Sequence, residues 1–211
     1  MPKKTLQQLN LILLGDPGAG KATQAEYFCK KYNLYDFDMG KELTLLREKN
    51  QQASRELQNN YDLGQLAPTK MARQIIRETF EKLPTTQGIL FDGHPKMLGE
   101  AKIVASLLKK TSRTKPLVLY IGISMDQMVK RVLGREGYQG TKYKTRHMDT
   151  KAGLKNRMRT KRTNIKQVIE YFDSIYTFAR IDGMGTRTEV RKRIQKAIDF
   201  YQKNYNQIYN I

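Results

Sequence analysis

The junction between Leu9-Asn10-Leu11-Ile12-Leu13-Leu14 and Gly15-Asp16-Pro17-Gly18-Ala19-Gly20-Lys21 constrains this chain more than any other feature. The apolar run is short and stops at glycine, which is the pattern of a buried strand and not of a helix. Beyond the glycines a new periodicity predicts a helix over 23–32. A strand, a glycine-rich turn and a helix in that order let the backbone curl so that several N–H groups face one anion. The helix N-terminus adds its partial positive charge, and Lys21 reaches the outer part of a phosphate chain. Ala22 stands where many such loops carry a hydroxyl for Mg²⁺, which leaves Thr23 as the nearest candidate.

Two further apolar runs, Ile89-Leu90-Phe91-Asp92 and Leu117-Val118-Leu119-Tyr120-Ile121, are each followed by glycine. Helical stretches are predicted over 41–50, 68–82, 98–110, 124–133, 154–172 and 188–205, and Phe178-Ala179-Arg180-Ile181 is the candidate last strand. Strands alternating with helices mean a doubly wound α/β fold with a parallel sheet. In such a sheet ligands collect beyond the carboxyl ends of the strands, so Asp92-Gly93-His94-Pro95-Lys96 faces the same crevice as the glycine-rich loop. Asp92 can orient Mg²⁺ or its water there, and Lys96 can hold a second phosphate. His94 reads as a turn residue beside the site and not as a general base.

The 211 residues and 39% hydrophobic content suit one ordinary domain with small insertions. No apolar run approaches the roughly 20 residues of a membrane helix. The opening Met-Pro-Lys-Lys lacks the apolar stretch and cleavage site of a signal peptide, and the single Cys29 can form no internal disulfide or cysteine cage. The expectation is a soluble cytoplasmic protein with no membrane partner. The formal charge of +19 is concentrated over 142–166, where ten basic residues face Asp149 alone. That balance favours polyanionic partners such as nucleic acid, an acidic membrane surface or phosphorylated small molecules. Tyr201, Tyr205 and Tyr209 recur every fourth residue, the spacing of a helix face that packs.

Together these residues resemble the adenylate kinase family of nucleoside monophosphate kinases, in which a Gly-x-Pro-Gly-x-Gly-Lys-x-Thr-Gln loop precedes an Asp-Gly-x-Pro-Arg turn. The resemblance extends through Lys31-Tyr32 before the second strand and Gly40 at its end, Val132-Leu133-Gly134-Arg135, Arg146-x-x-Asp149, Arg157 and Asp182-Gly183, covering essentially the whole chain. It implies an enzyme that moves a phosphoryl group from ATP to a nucleoside monophosphate with Mg²⁺, as a monomer. AMP is the leading acceptor, with another monophosphate such as GMP as the alternative. It also implies a P-loop core over 1–38, 68–134 and 147–211, a helical monophosphate-binding segment at 39–67 and a short lid at 135–146.

The residues so implied fall in two groups. On the ATP side are Gly18, Ala19, Gly20, Lys21, Ala22, Thr23, Arg131, Arg135 and Gly185, with Thr23 and Asp92 toward Mg²⁺. On the acceptor side are Met39, Thr44, Gln65, Leu66, Ala67, Gly93, Lys96, Glu100, Arg146 and Arg157. Lys21, Arg131, Arg135, Arg146 and Arg157 form the cationic clamp that the transferring phosphate requires, and arginine suits it because its planar fork binds phosphate oxygens in pairs.

Departures from the family pattern gather on the acceptor side. Thr44 stands where an arginine grips the phosphate, Lys96 replaces the arginine of the turn, Glu100 replaces a base-reading glutamine, and Met148 replaces an acid of the lid hinge. Lys41 and Arg47 lie three residues either side of Thr44 and are the candidates to compensate. Only ten residues separate Arg135 from Arg146, a lid that covers less of the site against water. The altered acceptor side and the basic charge leave open a second reading, a non-catalytic nucleotide-binding relative recruited to RNA.

Overall fold

The computed structural model describes residues 8–59, 67–133 and 151–209, apart from the side chains at 59, 133, 151–158, 160 and 164. In chain order the elements are β1 (Leu11–Gly15), α1 (Lys21–Tyr32), β2 (Tyr35–Phe37), α2 (Met39–Lys49), α3 (Gln51–Asn59), α4 (Thr69–Lys82) and β3 (Ile89–Asp92). They continue with α5 (Leu98–Lys110), β4 (Leu117–Gly122), α6 (Met125–Leu133), α7 (Lys151–Ile175), β5 (Thr177–Asp182) and α8 (Arg187–Ile208). The strands form one parallel sheet in the order β2-β3-β1-β4-β5. The doubly wound α/β expectation is therefore met.

Period-two alternation along β1 divides the interior into two cores. Leu11 and Leu13 face α1 and α8, meeting Phe28, Ile194, Ile198 and Tyr201. Ile12 and Leu14 face the opposite layer, where Ile76 of α4, Val104 of α5 and Phe172 of α7 close over them. Helices cover both faces, which is why the strand reads as a continuous apolar run without polar alternation. Truncating one of these leucines to alanine removes transfer free energy and leaves a cavity, a cost of about 2 to 5 kcal/mol.

Asn10, the polar interruption in that run, is 1% exposed and fully employed. Its amide nitrogen donates to Thr114 O at 2.9 Å, and its Oδ1 accepts from the Ile89 amide at 3.1 Å. The tyrosine stripe packs as expected. Tyr201 and Tyr205 are buried edge to face, the Tyr205 hydroxyl accepts from the Lys115 amide at 2.9 Å, and the Tyr209 hydroxyl accepts from the Thr177 amide at 2.9 Å. The stripe therefore bolts α8 to the entrances of β4 and β5.

Two local expectations are corrected. Gly40 does not end the second strand: β2 stops at Phe37, and Asp38 caps α2 by accepting from the Gly40 amide at 2.7 Å. The first helix begins at Lys21 and not at Thr23, which places the lysine inside its first turn. Within the expected helical segment after β2 the chain breaks once, where Asn50 leaves helical geometry while its Oδ1 accepts from the Ala53 amide at 3.0 Å, starting α3. Among the described residues no helix is long and apolar enough to cross a membrane.

Candidate active site

Parallel pairing fixes the centre of the site. Leu13 of β1 is in register with Asp92 of β3, and the Gly93 amide donates to Leu13 O at 2.8 Å. The loop after β1 and the turn after β3 therefore leave the sheet side by side. Gly20 caps α1 at φ +85°, a left-handed conformation that side chains avoid, with open space where its Cβ would stand. The first bond into the helix runs from the Gln24 amide to Gly20 O at 3.2 Å. By helix geometry the amides of Lys21, Ala22 and Thr23 have no partner within α1, and its first turn holds no acid. An anion is the fitting occupant. Ala19 contributes differently, since its amide donates to Asp16 O at 3.1 Å and so shapes the loop.

Lys21 folds back over this loop, its ammonium donating to Gly15 O and Asp16 O, each at 2.9 Å. Burial lowers its pKa to about 8, against the opposing pull of the Asp92 carboxylate. Asp92 moves the other way, raised to about 6 by burial and by the neighbouring Asp38 and Asp36, with Lys21 opposing. A carboxylate short of positive charge beside a phosphate loop fits a cation. Among the described residues no group of three His, Cys, Asp or Glu side chains could hold one alone.

Arg131 of α6 ties the loop to the far edge of the crevice. Its guanidinium donates to Gly18 O at 3.3 Å and Gly183 O at 3.2 Å, and reaches Gly185 O at 3.5 Å. Gly18 accommodates the arginine stem, since a Cβ there would lie 3.2 Å from Arg131 Cβ. The structure thus brings Gly18, Arg131 and Gly185 together.

The turn after β3 is more occupied than its sequence suggests. His94 is 2% exposed, burial holds its pKa near 3, and its ring packs 5.4 Å from that of Phe37. It is a neutral packing residue. Glu100 is 4% exposed, and its Oε2 accepts from the Lys96 and Met97 amides at 3.0 and 3.2 Å, capping α5. One carboxylate oxygen is therefore committed to its own helix, and Nε2 of His94 lies 3.6 Å from it. Lys96 is exposed at the rim.

The remaining acceptor-side residues scatter. Met39 is 6% exposed and its side chain packs in the core. The Thr44 hydroxyl donates to Gly40 O at 2.9 Å, within its own helix. Lys41 is held by Asp36 at 2.5 Å, which ties one of the two candidate compensating charges to β2. Ala67 packs against the second core. Gln65, Leu66, Arg135 and Arg146 lie outside the described residues, as does the side chain of Arg157.

Two cations escaped the sequence reading. Arg73 of α4 lies against Gly99, where any Cβ would collide with it, and its charge reaches Glu100. Arg162 of α7 grips Asp16 with both edges of its fork, Nε to Oδ1 at 2.8 Å and Nη2 to Oδ2 at 2.7 Å. The Tyr120 hydroxyl donates to the same Oδ1 at 2.9 Å, and the Ile123 amide to Oδ2 at 3.0 Å. Burial would raise the Asp16 pKa, but these bonds, led by Arg162, hold it below the ordinary value. The sequence carries only the need, since an acid inside a phosphate loop demands a countercharge, and not the residue that meets it.

The arrangement is a cradle of open amides with a lysine on it and a carboxylate across from it. It can hold a phosphate chain in place and balance the charge that moves along it. Comparison with known proteins agrees. The adenylate kinase family profile matches residues 13–176. The adenylate kinase of Leptospira biflexa is 29% identical over 188 residues, covering 89% of this chain and 98% of its own length. Those of Bacteroides fragilis and Flavobacterium johnsoniae are 25% and 28% identical, each over 90% of this chain and 98% of the relative. The loop, the adjoining acid turn and these matches lead to one assignment: the chain belongs to the adenylate kinase family of phosphotransferases.

Proposed function

We propose that the protein moves the γ-phosphoryl group of ATP to AMP, giving two ADP. The observation that carries this reading is the register that sets Asp92 beside the Lys21 loop at the carboxyl end of the sheet. ATP phosphates displace the Gly15 and Asp16 carbonyls from the Lys21 ammonium and take up the free amides at the start of α1. Arg131 and Gly185 flank the nucleotide. An oxygen of the AMP phosphate attacks the γ-phosphorus, the bond to the bridging oxygen breaks, and ADP leaves from both sides. No strong base is required, which accords with a neutral, buried His94.

Thr23 and Asp92 would hold Mg²⁺ through phosphate oxygens or water, and the ion when bound supplies charge neutralisation between the phosphates. Residues 39–67 receive the monophosphate, with Gly93, Lys96 and Glu100 on the opposite wall. Residues 135–146 act as lid, and Arg135, Arg146 and Arg157 complete the clamp as the family pattern implies. A coupled assay for ADP formed from ATP and each of a panel of monophosphates tests the reading. Transfer to AMP is expected; absence of ADP formation with every acceptor overturns it.

A further inference from the structure

We propose that Arg162 is a positioning residue that neutralises Asp16 and so makes the glycine-rich loop able to accept phosphate. The inference rests on the reading of that loop as the ATP phosphate site. An aspartate at the second position of a phosphate loop is an electrostatic liability, because a bare carboxylate there repels the ligand that the open amides attract. The structure resolves the conflict by saturating it. An ionised carboxylate offers about four acceptor positions. Here all four are taken: two by the Arg162 fork, one by the Tyr120 hydroxyl and one by the Ile123 amide.

The two partners are unlike in exposure. The Asp16 side chain is 1% exposed and that of Arg162 38%. The negative charge is therefore sealed under the loop while the positive charge stands at its edge. Arg162 also donates through Nη2 to Ile123 O at 2.8 Å, which docks α7 on the end of β4.

The same residue is clamped from its backbone side. The Asp16 carbonyl accepts from the Lys21 ammonium and from the Ala19 amide, so its position sets both the resting place of the catalytic cation and the turn of the loop. Arg162 thus acts on the phosphates through Asp16, without touching them. A purely mechanical tether would need the pair as a pair; a neutralising role needs Arg162 only while Asp16 carries charge. Those two roles predict different outcomes when both residues are removed.

The experiment compares wild type, Arg162→Met, Arg162→Lys, Asp16→Ala and the double variant Asp16→Ala with Arg162→Met. The readouts are equilibrium binding of ATP without acceptor, KM for each substrate, and thermal unfolding. Arg162→Met is expected to weaken ATP binding at least about tenfold, as truncating one partner of a buried charge pair does, with the acceptor KM little changed. The loss should shrink as pH is lowered and Asp16 takes up a proton. Arg162→Lys should retain part of the affinity, and the double variant should recover to within about threefold of wild type. Wild-type ATP affinity in Arg162→Met overturns the proposal, as does a double variant no better than the single. Should Arg162→Met fail to fold, the double variant against Asp16→Ala decides: equal affinity supports the proposal, and a further loss overturns it. A wild type that binds no ATP removes instead the reading of the loop on which the proposal rests.

Discussion

Gly93 lies directly beside Lys21: a Cβ built on the glycine would stand 3.1 Å from the lysine Cε. The glycine is at φ +63°, so a side chain there is strained by its backbone as well as crowded by the lysine stem. Gly93→Ala is expected to destabilise the protein by about 1 to 2 kcal/mol. It should also lower kcat about tenfold or more, since a small displacement near the chemistry is costly. Thermal unfolding and steady-state kinetics check this, and an alanine variant with unchanged kcat would show that the lysine stem does not depend on the space.

Lys21→Met should leave the fold intact, because the methionine keeps most of the stem and gives up bonds to two loop carbonyls and the attraction to Asp92. Transfer should fall by about a hundredfold to a thousandfold, the usual cost of losing a preorganised charge beside a developing one. Circular dichroism and the coupled assay together measure this. Turnover near wild type would contradict the role given to Lys21.

How much of this was legible beforehand depended on whether a residue's work was local. The strand boundaries at Ile89 and Asp92 and the whole of α5 follow from apolar periodicity and flanking glycine, both of which are printed in the sequence. The end of β2 did not follow, because Asp38 as a cap and Gly40 as the helix residue it holds look like any polar turn. The phosphate loop was legible because strand, glycines and helix are consecutive. Arg162 was not: it is 146 residues from Asp16 in the chain, and only the meeting of α7 with the end of β4 brings them together. Glu100 stood out by its position after the acid turn, yet its bonds to the Lys96 and Met97 amides come from the capping geometry of α5.

The pKa shifts of Asp92 and Lys21 predict how stability depends on pH in the ligand-free protein. Asp92 is raised from 3.8 to about 6, so between those values the folded state binds more protons than the unfolded chain. Its contribution to stability therefore falls as pH rises through that window and stays low above it. Lys21 is lowered from 10.5 to about 8, so there the unfolded chain binds more protons and stability rises with pH between those values. Both charges thus cost stability between about pH 6 and 8, where the enzyme has use for them. Asp92→Asn is expected to unfold at a higher temperature than wild type at pH 7, to lose that advantage by pH 4, and to transfer phosphate poorly. Chemical or thermal unfolding across pH 4 to 7.5 checks the first two points, and a variant less stable than wild type at pH 7 would contradict the assignment of burial as the dominant effect.

Acceptor choice is expected to depend on the oxygen of Glu100 that the α5 cap does not use. Oε2 is held by the Lys96 and Met97 amides, and burial raises the carboxyl pKa against those bonds. In Glu100→Gln the amide oxygen can take over the capping bonds, which leaves the NH₂ group in place of the second carboxylate oxygen. That exchange turns an acceptor into a donor at one fixed position. Adenine presents an acceptor at N1, whereas guanine presents donors at N1 and the exocyclic N2. The substitution should therefore favour AMP over GMP, and an unmatched polar contact in a closed site costs about 1 to 3 kcal/mol, or roughly tenfold in the ratio of their kcat/KM values. Because the cap survives, thermal stability should move little, which separates an effect on the base from a loosened helix. The measurement is kcat/KM for AMP and for GMP in wild type and variant; an unchanged ratio would mean that Glu100 serves the helix alone and that the base is read by other groups.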